Sequence, residues 1–233
     1  MTLHRPRLIT FDAFGTLFEA EGVTVPDVMG AIIDRNGLGL GQGELAQLWW
    51  DRSYQIASED FVTVREATRM ALASMLHEFG VEDDARAHSD RLLEAWKQTD
   101  PYPEAMKALR LLKEFDLGIV SNIDEDVLGA LLHRSRLTDR FRVVVTSEAT
   151  RTYKPEPGIF HEALRRSGHP AEEAIHLGDS PGEDIAGAKR TGMMAGWINR
   201  QGEIPQGNVP EPEFAVANLQ DAAELILASK PAK

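Results

Sequence analysis

The sequence predicts an α/β protein: a doubly wound parallel sheet with an α-helical domain inserted after the first strand. Three observations carry that prediction. Short apolar runs that read as buried strands recur at 7–12, 117–122, 142–147, 174–179, 194–199 and 213–218. Helical patterns at 103–115, 124–134, 156–168, 183–191 and 219–229 alternate with them, and such alternation means a parallel sheet with right-handed crossovers. Residues 19–100 break the rhythm, with helical periods at 25–36, 43–57, 62–80 and 84–98 and no convincing strand.

The first strand is Arg7-Leu8-Ile9-Thr10-Phe11-Asp12, followed at once by the turn signal Gly15-Thr16. A carboxylate at the carboxyl end of a strand projects into the crevice where open α/β sheets bind ligands. There Asp12 can attack an electrophile and form a covalent intermediate. The plainer reading, an Asp that caps a turn, would prevail if this stretch stood alone. Three further strand ends of the same kind outweigh it.

The helical insertion comes next. Ala67, Met70, Ala71, Ser74, Met75 and Glu78 form one predicted face, with the methionines as core filler. Trp49, Trp50 and Tyr54 read either as a specificity surface or as the insertion's own core. The hinges are expected near Phe18-Glu19-Ala20 and Asp100-Pro101-Tyr102-Pro103, the second stiffened by its prolines. The predicted division is therefore a core of 1–18 and 101–233 and a helical domain of 19–100.

Past the second hinge, Ala105, Leu109, Leu112 and Phe115 recur at helical spacing. The strand 117–122 ends in a hydroxyl and an amide, Ser121 and Asn122, and Asp124 can cap the following helix. Tyr153-Lys154-Pro155 follows the next strand and supplies a cation. In His176-Leu177-Gly178-Asp179-Ser180-Pro181-Gly182-Glu183-Asp184, a strand ends in Asp179, and Asp184 falls in the first turn of a helix. The segment 200–212 is rich in Gly and Pro and reads as a surface loop, and the tail from Ser229 as frayed. A nucleophile, hydroxyls, a cation and a carboxylate cluster together suit phosphoryl transfer, where a protein mostly positions groups and neutralises charge.

On these stretches the chain resembles the haloacid dehalogenase superfamily of hydrolases, which implies a Rossmann-like core and makes the insertion a cap over the crevice. The resemblance gives Asp12 the nucleophile's role, Thr16 and Ser121 the oxygens of the transferred group, and Lys154 the neutralising charge. Asn122 and Gly15 complete the substrate-binding set. Mg²⁺ would be held by Asp12, the backbone carbonyl of Phe14, Asp179 and Asp184, the last acting through water or by orienting Lys154. Magnesium keeps several waters, so a few protein oxygens suffice.

Phe14 departs from the phosphatases of this superfamily, which place there a second Asp that protonates the leaving group. Such a group contributes about 10²–10⁴-fold. An aromatic at this position is similar to the 2-haloacid dehalogenase branch, whose members displace halide without metal, and Trp197-Ile198-Asn199-Arg200 and Leu48-Trp49 share that likeness. Asp179 and Asp184 point the other way, to a metal site, and the cap arginine expected after Leu48-Trp49 is replaced by Trp50, with Arg52 nearby. The first expectation is a Mg²⁺-dependent hydrolase of a small phosphorylated metabolite acting through an aspartyl-phosphate. The alternatives are metal-independent dehalogenation of a 2-halo acid through an aspartyl ester, and a weakly catalytic protein that binds a phosphorylated ligand or protein partner.

Composition bounds the rest. The 233 residues carry a formal net charge of −12, which argues against a nucleic-acid partner but leaves room for a small anionic substrate in a local positive field. There is no cysteine, which excludes disulfides and fits a cytoplasmic location. The start, Met1-Thr2-Leu3-His4-Arg5-Pro6, reads as lacking a secretory segment, and no run is long enough to span a membrane. The seven histidines are scattered, without a zinc-binding spacing. A monomer or homodimer is expected.

Overall fold

The computed structural model describes residues 3–19, 24–205 and 207–229. The expectations for Ala20 and for the tail from 230 onward lie outside these residues. Six strands form one parallel sheet: β1 (Leu8–Phe11), β2 (Asp116–Ser121), β3 (Val143–Thr146), β4 (Ala174–Gly178), β5 (Met194–Ile198) and β6 (Phe214–Val216), in the order β3-β2-β1-β4-β5-β6. Every residue of β1, β4 and β5 is buried, as apolar runs covered on both faces must be. Strand β1 lies between β2 and β4, with Leu8 opposite both Asp116 and Ala174 and Phe11 opposite both Ile119 and Leu177. The strand order reverses beside β1, and this is the switch point at which open α/β sheets form their crevice.

Among the described residues, ten α-helices accompany the sheet: α1 (Thr24–Asn36), α2 (Gln42–Glu59), α3 (Val64–Glu78), α4 (Ala85–Trp96), α5 (Pro103–Leu111), α6 (Glu125–Arg134), α7 (Ser147–Thr150), α8 (Pro157–Ser167), α9 (Ala186–Arg190) and α10 (Leu219–Ala228). Pro103 opens α5 and Pro157 opens α8, where a missing N–H costs nothing. Gly168 ends α8 at φ 76°. The short α7, next to β3, is not apparent in the sequence pattern.

The chain divides into two compact units. One comprises 1–20, 100–122 and 135–233; the other comprises 21–99 and 123–134. The first holds the sheet. In it the two crossing segments pair with each other: Phe18 bridges Pro101, Glu19 N–H donates to Asp100 O at 3.2 Å, and Tyr102 N–H donates to Leu17 O at 3.0 Å.

The second unit packs α1–α4 around Met29, Ile32, Leu45, Trp49, Leu72 and Leu92, and it includes α6. The carboxylate of Asp124, just before α6, accepts the N–H groups of Val64 (2.8 Å) and Arg65 (2.9 Å) at the start of α3. Asp126 of α6 pairs with Arg65 (2.8 Å) and Lys97 (2.9 Å). Helix α3 starts at 64 because Thr63 and Glu66 form a reciprocal capping box. Its core stripe is Ala67, Thr68, Ala71, Leu72, Met75 and Leu76. This corrects the predicted face: Met70 is exposed, and Glu78 pairs with Arg52 at 2.6 Å. Leu72 and Leu76 offer more apolar surface than Met70 and Ser74 can, so the helix turns that side inward. Trp49 belongs to the core, whereas Trp50 and Tyr54 are exposed.

Candidate active site

Strand pairing continues past β1 through Asp12 N–H, which donates to Leu177 O at 2.9 Å. This sets Asp12 beside Asp179, which follows β4. The next turn is tight: Gly15 N–H donates to Phe18 O at 2.8 Å, and Leu17 N–H (2.9 Å) and Phe18 N–H (2.8 Å) both donate to Ala13 O. Gly15 has φ 76°, and a Cβ there would overlap the Asp179 carboxylate, so only glycine fits. Phe14, half-buried, lies in this turn and bridges Phe18.

Lys154, fully enclosed, joins two of the predicted carboxylates. Its Nζ lies 2.6 Å from Asp12 Oδ1 and 2.6 Å from Asp184 Oδ1. Asn122 holds the lysine's backbone: its Oδ1 accepts Lys154 N–H at 2.7 Å and its Nδ2 donates to Lys154 O at 3.2 Å. The same Nδ2 donates to Glu183 Oε2 at 2.9 Å. Asn122 thus braces the lysine loop with both ends of its amide. Thr16 and Ser121 are buried at the ends of the first turn and of β2, and Thr16 Oγ1 donates to Asp179 Oδ1 at 3.3 Å.

Asp184 lies in a π-helical turn, Pro181–Ile185, and is completely buried. Its Oδ2 accepts Ser180 N–H at 2.9 Å. A Cβ at position 178 would overlap its carboxylate, which explains Gly178. Oxygens of Asp12, Asp179 and Asp184 lie within 4.8 Å of one another. Asp12, Thr16, Asn122, Lys154, Asp179 and Asp184 are thus linked by these contacts at the sheet's carboxyl end, and Ser121, which ends β2, adjoins Asn122 in sequence.

Burial raises the Asp12 carboxyl above the ordinary carboxylate range, with Lys154 pulling it down and Asp184 pushing it up. Burial and the charges of Asp12 and Asp184 push Asp179 up to about 8. Burial would raise Asp184 too, but Lys154 and the His176 hydrogen bond overcome it and hold Asp184 below the usual range. Burial works against the Lys154 ammonium, yet Asp12, Asp184 and Glu183 together raise it above the ordinary lysine value. Glu183 is pushed up to about 7 by burial, opposed by Lys154. Lys154 thus faces several carboxyl groups, and burial and crowding favour the neutral forms of Asp179 and Glu183.

Sequence reasoning gave no role to His176 or Glu183, and read Trp197 and Arg200 only as part of a family likeness. His176, in β4, is fully buried; Nε2 lies 3.0 Å from Asp184 Oδ1, and Nδ1 lies 2.9 Å from Thr10 Oγ1. A histidine amid an otherwise apolar strand was the available signal. Glu183 reads as a surface residue until the turn folds it toward Asn122. Trp197 Nε1 donates to Asp179 O at 2.9 Å, and Arg200 donates to the carbonyls of Gly15 and Thr16 at 2.9 Å each. Arg52, in the helical unit, reaches Ser74 Oγ (3.2 Å) as well as Glu78.

A strand-end carboxylate is thus salt-bridged to a buried lysine, with a carboxylate-bearing turn beside it. The family model for haloacid dehalogenase-like hydrolases matches residues 6–192, and the chain belongs to that family. It is 31% identical over 213 residues to (S)-2-haloacid dehalogenase 4A of Burkholderia cepacia, covering 90% of this chain and 87% of that protein. It is 34% identical over 131 residues to glyceraldehyde 3-phosphate phosphatase of Methanopyrus kandleri, covering 54% of this chain and 56% of that protein. Among solved structures, L-2-haloacid dehalogenase from Xanthobacter autotrophicus with chloropropionic acid covalently bound aligns with a TM-score of 0.77. That match has 25% identity and covers 96% of this chain and 99% of the other.

Proposed function

We propose that the protein hydrolyses a small 2-halo acid through an ester on Asp12. The observation that carries the reading is the Asp12–Lys154 pair in a turn where Phe14 offers no proton donor. A leaving group that departs as a stable anion needs none. The full-length similarity to dehalogenases supports the same substrate class.

In this reading an Asp12 oxygen forms a bond to C2 as the carbon–halogen bond breaks, and halide leaves with the bonding electrons. Water then adds to the acyl carbon of Asp12 and the ester bond to the carboxyl group breaks. The 2-hydroxy acid keeps one proton of that water and the other goes to solvent. Lys154 steadies the nucleophile's charge, and Thr16, Ser121 and the Gly15 turn hold the substrate's oxygens. Residues 19–100 serve as the cap that selects the substrate, and the cytoplasm is the proposed location.

A specific observation favours a second reading, phosphohydrolysis with Mg²⁺. Oxygens of Asp12, Asp179 and Asp184 lie within 4.8 Å of one another, and hard oxygen donors of this kind fit magnesium. Asp12, Asp179 and Asp184, with the Phe14 carbonyl, would hold the ion, which would neutralise charge on a phosphoryl group. The partial match to a phosphatase supports it.

The test is a paired screen of 2-chloropropionate and phosphate esters, each with Mg²⁺ and with chelator, in wild type and Asp12→Asn. Halide release that chelator leaves unchanged and Asp12→Asn abolishes supports the first reading. Mg²⁺-dependent phosphate release without halide release replaces it with the second. Turnover by Asp12→Asn, shown free of deamidation, removes both.

A further inference from the structure

Arg200, in the segment that follows β5, lies 185 positions from Gly15 in sequence, yet it is bonded to the loop that carries the nucleophile. Its Nε donates to Gly15 O and its Nη2 to Thr16 O, each at 2.9 Å. The guanidinium stacks over the Tyr102 ring, 3.5 Å from the centroid. Its third nitrogen, Nη1, is 2.6 Å from Glu104 Oε1, a close ionic contact outside hydrogen-bonding geometry. Tyr102 and Glu104 lie where the chain re-enters the sheet unit, beside the Phe18–Pro101 bridge.

Two charge-assisted bonds to adjacent carbonyls fix two consecutive peptide planes. Those planes set the position of Thr16, whose hydroxyl reaches Asp179, and of Gly15, whose backbone lies against the Asp179 carboxylate. Lysine cannot replace this arrangement, because its ammonium is a point charge without the planar fork or the stacking face. We infer that Arg200 is a positioning residue for the reaction. Clamped by Tyr102 and Glu104, it holds the Gly15–Thr16 turn in register with Asp12. The inference rests on Asp12 as nucleophile and is independent of whether the substrate carries halide or phosphate.

The experiment compares wild type, Arg200→Ala and Arg200→Lys as full chains. It reads kcat and KM on 2-chloropropionate and on p-nitrophenyl phosphate with Mg²⁺, together with hydrogen–deuterium exchange over 13–18. A displacement of about 1 Å in a positioned group can cost about 10²-fold. Arg200→Ala should therefore lower kcat by about 10- to 100-fold, with KM changed less. Arg200→Lys should fall between the two, and millimolar guanidinium should restore part of the loss in the alanine variant alone. Exchange over 13–18 should quicken in Arg200→Ala while the sheet peptides stay as in wild type.

Should Arg200→Ala not fold, Arg200→Lys carries the same comparisons. A wild type inactive on both substrates would sink the substrate reading alone, and the exchange arm would still decide the role of Arg200. Wild-type exchange over 13–18, or wild-type kcat on a used substrate, overturns the inference. So does a loss that tracks a lowered melting temperature, with exchange raised throughout the core and no rescue by guanidinium.

Discussion

Asp12, Asp184 and Glu183 share one chemistry and one neighbouring ammonium, yet their surroundings separate them. Asp184 is fixed by Lys154, His176 and the Ser180 N–H, so its charge is held. Asp12 keeps the lysine but fewer donors, which suits the proposed nucleophile. Asp12, Lys154, Asp179 and Asp184 were legible in the sequence because each polar residue interrupts or follows an apolar run. His176 and Glu183 were not, because their roles depend on which side chains the turn at 181–185 folds together. His176→Leu tests the buried relay: it leaves Thr10 and Asp184 without their ring partner. Asp184 keeps Lys154 and the Ser180 N–H, and Thr10 keeps Ile175 O, so the loss is that of two buried hydrogen bonds. At about 0.5–1.5 kcal/mol each, urea midpoints should fall accordingly, with turnover reduced as Asp184 loosens. An unchanged midpoint and unchanged turnover would refute the relay. Phe14→Asp separates the two leaving-group chemistries. With Mg²⁺ it should speed alkyl phosphate turnover more than aryl phosphate turnover, by up to the roughly 10²–10⁴-fold of a placed acid. It should not raise 2-chloropropionate turnover, since halide leaves unprotonated. An equal gain on all three substrates would show that the position does not act through proton donation.

At the scale of elements, the helix and strand spans follow the apolar periods closely, while faces and caps are decided by partners. The α3 stripe shows this. Its period is helical, but whether Met70 or Leu72 turns inward is settled by the neighbouring helices. Asp124 was read as a cap for the helix after it; its carboxylate receives the first amides of α3, a link across 60 residues that no local pattern reveals. Asp83, before α4, is a comparable long-range tie. Its side chain is buried, accepts Asn36 Nδ2 (3.0 Å) and its own neighbour's amide, Asp84 N–H (2.8 Å), and lies 3.0 Å from His88 Nε2. Burial opposes its charge, but these bonds prevail and lower its carboxyl from 3.8 to about 2. A depressed folded value means that the stabilisation is complete above about pH 4 and is lost as pH falls toward 2. Asp83→Asn should therefore narrow its stability gap to wild type as pH drops through that window, read by urea melts from pH 5 to 2. A gap that stays constant or widens on acidification would contradict the assignment.

For the whole molecule, alternating elements were enough to give a parallel sheet, and the long helical stretch was enough to give an inserted unit. The strand order was not legible, since it depends on crossover packing rather than on any one segment. That order nonetheless makes the chemistry: placing β1 between β2 and β4 is what brings Asp12 next to Asp179 and within reach of Lys154. The grouping of α6 with the helical unit was likewise hidden, because no local pattern reveals the bonds of Asp124 and Asp126 to Val64, Arg65 and Lys97. The central claim is that Asp12 forms a carbon ester whose acyl carbon water attacks. Its most direct test is a single turnover of 2-chloropropionate by excess enzyme in ¹⁸O-water, with mass spectrometry of both the product and the peptide containing Asp12. The account predicts an unlabelled 2-hydroxy acid and one ¹⁸O in the Asp12 carboxylate, because the product takes its oxygen from the enzyme. A labelled product with an unlabelled Asp12 peptide would contradict it.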